Sequence, residues 1–250
     1  MQKKAFFSLV YFALFALLLS SQVYADSNYE RPKYKLSFSS GWGPKKIGDL
    51  KGRNWYNDYL GEPREIETMF AFTSRDVYTS NNTDLNMRLS LSYNYSGPWY
   101  VVGRFQYESW RERKDIRLEY EFGKIGETLY NFTSVMPYLG FEYTNRFWKL
   151  EYNTDVGIAY CDARSKVKYV AWMDDEVNLG TYAFNAVGII VSGGLSYEFI
   201  RYTYINTELG YRFFSSDKLE PQDNSSNTPI DFDYDGVFFG IGMSYGFGSM

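Results

Sequence analysis

Residues 85 to 95 read LNMRLSLSYNY. Leu85, Met87, Leu89, Leu91, Tyr93 and Tyr95 fall on one parity, and Asn86, Arg88, Ser90, Ser92 and Asn94 on the other. Successive side chains of an extended chain point to opposite sides of a sheet, so an unbroken period of two specifies a strand with one apolar and one polar face. The pattern returns along the chain. Ile116, Leu118, Tyr120 and Phe122 alternate with Arg117, Glu119 and Glu121, and Ile205, Thr207, Leu209, Tyr211 and Phe213 with Asn206, Glu208, Gly210 and Arg212. Val237, Phe239, Ile241, Met243, Tyr245 and Phe247 face mostly Gly and Ser. A soluble sandwich would turn the polar faces to water. A membrane barrel would turn the apolar faces to lipid and enclose the polar ones in a lumen. Hydropathy does not separate the two, because barrel strands hide lipid-facing residues among polar ones.

Composition favours the barrel. Aromatic residues make up 20 % of the chain, 25 of them Tyr, and Tyr and Trp prefer membrane interfaces, where the ring is apolar and the OH or NH reaches water. The single cysteine, Cys161, excludes an intrachain disulfide framework, so a closed sheet or a large core must hold the fold. Lys3 and Lys4 precede an apolar run at 5–19 and a small-residue site ending at Ala25. That reads as a cleaved signal peptide over 1–25, leaving 26–250 as a single exported domain. Removing the two lysines takes the formal net charge from -4 to -6 (-4 - 2), which argues against a nucleic-acid partner.

Period two with turn punctuation predicts an all-β chain of about 10 strands, with eight or twelve as alternatives. The expected spans are 34–42, 65–73, 84–96, 98–110, 115–123, 135–144, 146–160, 184–200, 203–214 and 235–247. Closed as an antiparallel up-and-down transmembrane barrel, they would have outer connections at 43–64, near 97, at 124–134, 161–183 and 215–234. Inner ones would fall at 74–83, 111–114, 144–146 and near Arg201. Barrels of this kind carry short turns on one side and long loops on the other, and the short SGP turn near 97 is the one misfit.

The polar faces carry both signs of charge. Arg88, Arg104, Glu108, Arg117, Glu119, Glu121, Lys149, Glu151, Glu208 and Arg212 form the expected lumen charge network, in which interleaved Arg and Glu pair with one another. Aromatics near the strand ends (Trp42, Trp99, Tyr100, Trp110, Trp148, Tyr160, Tyr202, Phe213 and Phe214) read as interfacial girdles. With the signal peptide, the segments PYLGFEYTNRFWKLEYNTDVGIAY at 137–160 and VFFGIGMSYGFGSM at 237–250 resemble those of small bacterial outer-membrane β-barrel proteins of the OmpA-like, OmpX and OmpW type. The resemblance implies an outer-membrane location in a Gram-negative-type bacterium and recognition of the last strand by the barrel-assembly machinery. That strand departs from the pattern in following Phe247 with Gly248, Ser249 and Met250.

Signals for chemistry are sparse. The chain has no histidine, the side chain that usually serves as general base near neutral pH and activates Ser or Thr nucleophiles. This argues against an enzyme, and enzymatic barrels of the resembled class rely on a catalytic histidine. Cys161 sits beside Asp162, whose charge disfavours the thiolate, and reads as inert. DFDYDG at 231–236 spaces three aspartates like a calcium loop, but the twelfth position is Gly242 instead of Glu, so it reads as a solvated acidic loop; no metal or cofactor is expected. In the expected first outer loop, Lys45, Lys46, Lys51 and Arg53 accompany Trp55, Tyr56 and Tyr59. Cations beside aromatics suit lipopolysaccharide phosphates, glycans or a protein partner. The resulting expectation is a non-catalytic outer-membrane barrel serving envelope integrity or surface interaction through its loops, in contact with outer-membrane lipid and lipopolysaccharide. A narrow porin-like channel for ions or small polar solutes, and a soluble exported ligand-binding β-barrel, are the alternatives.

Overall fold

A computed structural model describes residues 30–43, 46–47, 72–74, 85–118, 124–171, 176–216, 218–222 and 229–248. The expected signal peptide lies outside them. Eight long strands close on themselves: β1 (Tyr34–Trp42), β4 (Leu85–Ser96), β5 (Trp99–Leu118), β6 (Lys124–Phe147), β7 (Leu150–Ala171), β8 (Glu176–Ile200), β9 (Thr203–Phe214) and β12 (Gly236–Phe247). Each pairs antiparallel with its neighbours, and β12 pairs with both β9 and β1, so the ring has no open edge along the membrane. Short strands β2 (Lys46–Ile47), β3 (Phe72–Ser74), β10 (Lys218–Pro221) and β11 (Ile230–Asp233) lie outside the closed ring.

The expectation of about ten strands is therefore corrected to eight, and two misread spans account for the difference. The expected turn at 111–114, RERK, lies inside β5, which runs unbroken for 20 residues. In the expected strand at 65–73, the described residues belong only to β3, which pairs with the far end of β5 through Phe72↔Leu118. Removing these two crossings also removes the misfit at SGP. The turn at Gly97, with φ +53°, now lies at the same end as the tight turns at 148–149 and 201–202. The connections 43–84 and 215–235 lie at the other end. We call these the turn end and the loop end.

What faces outward settles the solvent. On β4, Leu89 and Leu91 are 51 % and 49 % exposed while Arg88 is 1 % exposed. A water-soluble barrel would have this reversed. On β7 the outward row runs from Leu150 through Val156 and Ile158 to Tyr160, all exposed. At about 3.3 Å per residue and about 40° of tilt, that row rises about 25 Å, the height of an apolar membrane band. Trp42, Trp99, Trp148 and Tyr160 lie exposed near the two margins of this band. Tyr100 and Trp110, expected among the girdles, instead point inward and are buried, and Phe214 packs against the interior core.

Above the band the barrel becomes taller on one side. β6, β7 and β8 are 24, 22 and 25 residues long, whereas β9 and β12 have 12 each. The expected loops at 124–134 and 161–183 are largely strand. Where β9 stops at Phe214, opposite Gly188, the edge of β8 passes to β10 through Ala183↔Glu220 and Tyr182↔Pro221. β10 pairs with β11, and β11 with β2. The loop-end sheet thus continues as β3-β5-β6-β7-β8-β10-β11-β2.

In this extension the alternation inverts. Along β7 the inward residues change from Glu151 and Asp155 to Ala159, Cys161, Ala163 and Val167, while the outward ones change from Val156, Ile158 and Tyr160 to Arg164 and Lys166. The strand has left lipid for water, and apolar residues turn to the only dry space left, the interior.

Candidate functional site

The interior of the barrel is the candidate site, and it consists of three layers. At the turn end, Lys35 Nζ lies 2.5 Å from Glu151 and sits between the rings of Tyr100 and Tyr204, 5.0 and 5.2 Å from their centroids. Arg146 reaches the same Glu151 at 3.7 Å and pairs closely with Glu198. Glu198 also accepts the Tyr202 backbone N–H at 2.6 Å, and Glu142 accepts from Thr144 Oγ1 at 2.8 Å and Asn153 Nδ2 at 3.2 Å. Buried charges are tolerable only when paired and further hydrogen-bonded, and here the pairing also fills the opening.

The middle layer centres on Arg104, which pairs with Asp155 at 2.7 Å and Glu208 at 3.1 Å. Glu208 also receives Arg88 Nη1 at 2.9 Å. Ser192 Oγ lies 2.5 Å from Asp155 and 2.7 Å from Glu208; one hydroxyl hydrogen serves one of them at a time, so the arginines carry most of the compensation. Glycines make room for the rings on which these arginines rest. A Cβ at Gly157 would stand 2.6 Å from the Tyr138 ring, and one at Gly210 would stand 2.4 Å from that of Phe238. Arg104 then lies over Tyr138 at 4.9 Å and Arg88 over Phe238 at 4.4 Å, adding cation–π attraction to the ion pairs. Beside them is a cavity of about 70 Å³, lined by hydroxyl groups such as Ser37, Ser39, Ser90 and Ser92, with Arg104, Asp155 and Glu208.

The layer nearest the loop end is closed by chain folded into it. Glu108, 0 % exposed, accepts from Asn86 Nδ2 at 2.8 Å, Gln106 Nε2 at 2.5 Å, Arg212 Nη1 at 3.1 Å and the Tyr234 hydroxyl at 2.6 Å. Arg212 stacks on the Tyr234 ring at 3.9 Å and donates through Nε to the Tyr234 carbonyl at 2.8 Å. Tyr234 comes from the 215–235 connection, so this cluster ties that connection to the barrel wall. Above it, Phe132, Phe184, Phe214 and Phe232 pack ring to ring with Tyr234, at centroid distances from 5.3 Å for Phe214 to 6.0 Å for Phe132, and Trp110 packs on Phe132 at 5.0 Å. Leu219 and Ile230 of the β10–β11 pair complete this core.

The structure brings together Arg88, Arg104, Glu108, Glu151, Glu208 and Arg212 from the sequence-derived network. Lys149 is not among them: it is exposed in the two-residue turn at the turn end, 5.6 Å from the Trp148 ring. The strand begins four residues later than the expected 146, at Leu150. Arg117 pairs through its backbone with Thr73 and Lys124 near the loop end; its side chain, with Glu119 and Glu121, lies outside the described residues. So do Lys45, Lys51, Arg53, Trp55, Tyr56 and Tyr59 of the expected outer-loop surface, whereas the backbone of Lys46 pairs with Asp233. Sequence reasoning missed Lys35, Glu142, Arg146, Asp155 and Glu198. Their parity on the strands placed them inward, but Arg146 was assigned to a turn and Lys35 stands alone among serines. In DFDYDG, Phe232 and Tyr234 enter the core, and Asp235 accepts the Phe214 backbone N–H at 2.7 Å. Cys161 is buried in the same core, with Asp162 on the opposite face.

No family model and no curated protein matches this chain. Among solved structures, it is similar to the outer membrane protein OprG from Pseudomonas aeruginosa at 13 % identity, covering 88 % of this chain and 97 % of that one with a TM-score of 0.48. Neisserial surface protein A matches at 10 % identity over 88 % of this chain and 100 % of that one, with a TM-score of 0.45. The outer membrane protein AlkL matches at 15 % identity over 90 % and 94 %, with a TM-score of 0.37. This chain is a small membrane-spanning β-barrel. That statement rests on its own closed sheet and its inside-out surface.

Proposed function

We propose that the protein is a closed, non-catalytic barrel of the bacterial outer membrane that presents a rigid sheet beyond the outer leaflet for surface interaction. The observation that carries this reading is the double seal: among the described residues, an ion-pair cluster lies at the turn end and an aromatic core at the loop end, with the small middle cavity between them. Eight-stranded barrels have interiors that side chains can fill, and every charged group of the middle layer already has an opposite partner. Among the described residues, long connections at one end only, with Lys33 and Gly248 paired at the other, match the arrangement in which loops face the exterior and tight turns the periplasm. The absence of histidine from the chain supports the non-catalytic part.

The test is planar-bilayer recording of the refolded mature chain, after a boiling-dependent gel shift has verified the closed barrel. Current indistinguishable from bare lipid supports the reading. Stable discrete steps would favour the second reading, a narrow channel, for which the serine-lined cavity beside Arg104 is the supporting observation. Recovery of the protein from the periplasm without detergent would overturn both.

A further inference from the structure

One carboxylate inside the barrel has no cation of its own. Among the described residues, the inward charges of the eight ring strands form five pairs: Lys35 with Glu151, Arg146 with Glu198, Arg104 with Asp155, Arg88 with Glu208 and Arg212 with Glu108. Glu142 is the sixth acid. It is 8 % exposed and accepts only from neutral donors, Thr144 Oγ1 at 2.8 Å and Asn153 Nδ2 at 3.2 Å. Arg31, half-buried at the turn end, gives its Nη1 to the Thr144 carbonyl at 2.8 Å and forms no ion pair with Glu142. An ionised carboxylate taken out of water needs an opposite charge close by.

Glu142 lines the middle cavity of about 70 Å³, which has room for an ion and a few waters. Much of the remaining wall is hydroxyl. Two of these groups, on Ser92 and Ser196, are 4 % and 9 % exposed and have no hydrogen-bond partner among the described residues. Lys35 and Arg104 also line the cavity, but Lys35 is spent on Glu151 and Arg104 on Asp155 and Glu208. Carboxylate and hydroxyl oxygens suit hard cations. The charge left over is a single one, and among the described residues no three acids are grouped to hold a metal ion, so a divalent ion is not called for. We propose that the cavity holds one alkali-metal cation, sodium or potassium, bound by the Glu142 carboxylate and by hydroxyl oxygens of the lining. The ion brings the interior to charge balance. It belongs to the folded barrel alone, since the unfolded chain does not bring these oxygens together. Charge balance is needed whether or not the lumen conducts, so the site is independent of the bilayer recording.

The test is urea unfolding of the refolded mature chain in phosphatidylcholine vesicles, with sodium or potassium chloride exchanged for choline chloride at constant ionic strength. An ion that binds only the folded state divides the unfolding constant by 1 + [ion]/Kd. For a site half-filled at about 10 mM, raising the alkali cation from about 10 to about 100 mM should therefore lower that constant about fivefold. Glu142→Gln should unfold with the same constant at both concentrations. Glu30→Gln, which removes an exposed acid at the turn end, should respond like the wild type. The boiling-dependent gel shift verifies folding. Should Glu142→Gln not fold, Ser196→Val, which puts two methyl groups into the cavity, should weaken the response. A wild type that unfolds equally in sodium, potassium and choline would overturn the proposal. So would a full response in the folded Glu142→Gln or Ser196→Val protein, since the ions would then be acting elsewhere.

Discussion

Replacing Glu108 by alanine removes the acceptor on which the loop-end seal converges. Four donors point at this carboxylate, from Asn86, Gln106, Arg212 and Tyr234. Arg212 is the critical one: it is 1 % exposed, and its Nη2 already lacks a hydrogen-bond partner among the described residues. Without Glu108 its charge would rest, among the described residues, on the Tyr234 ring and the Tyr234 carbonyl. Breaking a buried ion pair by removing one partner costs about 3–5 kcal/mol, because the other charge is left uncompensated. Glu108→Gln keeps the shape and part of the hydrogen bonding and should cost less, about 1.5–3 kcal/mol, the range for a hydrogen bond to a charged group. Tyr234→Phe deletes one donor and should cost about 1 kcal/mol. The assay is reversible urea unfolding of the refolded chain in lipid vesicles, followed by tryptophan fluorescence. The Glu108 and Tyr234 substitutions share a hydrogen bond, so their double-mutant cycle should show coupling of about 0.5–3 kcal/mol. A cost below about 1 kcal/mol for Glu108→Ala, or additivity between the two sites, would refute the description of Glu108 as the anchor of the seal.

The remaining expectations concern the wall, the glycine seats and the two seals. Leu209→Arg, at the middle of the lipid-facing row of β9, should destabilise the barrel by about 2–4 kcal/mol, whereas Ser92→Ala on the lumen side of β4 should change the unfolding free energy by less than about 1 kcal/mol. Equal costs at the two sites would contradict the inside-out assignment. Gly157→Val would drive a Cβ to 2.3 Å from the Leu139 carbonyl oxygen and 2.6 Å from the Tyr138 ring. It should cost about 1–3 kcal/mol by overpacking in the same urea assay. Because the seals act in series, excising 218–233 or making Arg146→Ala should each leave planar-bilayer current at the lipid baseline, and the two together should give discrete steps. Steps from either change alone would mean that the other seal leaks.

Much of the barrel was legible because the membrane gives parity a fixed meaning. In β1, β4, β9 and β12 every side chain lies within or beside the lipid band, and those spans were read to within a residue or so of their observed limits. The reading failed where a strand crosses from one medium to the other. On β7 the apolar parity changes after Tyr160, so a pattern scored against one environment stops there, although the strand continues to Ala171. RERK at 111–114 looked like a turn because charges cluster in it. In β5 it is instead strand beyond the belt, where the exposed Arg111 meets water.

The interior shows the same division. That Arg88, Arg104, Glu108, Glu208 and Arg212 face inward follows from alternation alone, because a charge on the lipid side would cost several kcal/mol. Which charges meet does not: Arg88 and Glu208 are 120 residues apart, and Glu108 and Tyr234 are 126. The sequence by itself determined which residues share a strand face and favoured, without deciding, the membrane setting. Tertiary structure alone decided the strand count, the pairings and the folding of Phe232 and Tyr234 into the mouth. Parity is a local property of an extended chain, whereas pairing depends on register and closure around the whole ring.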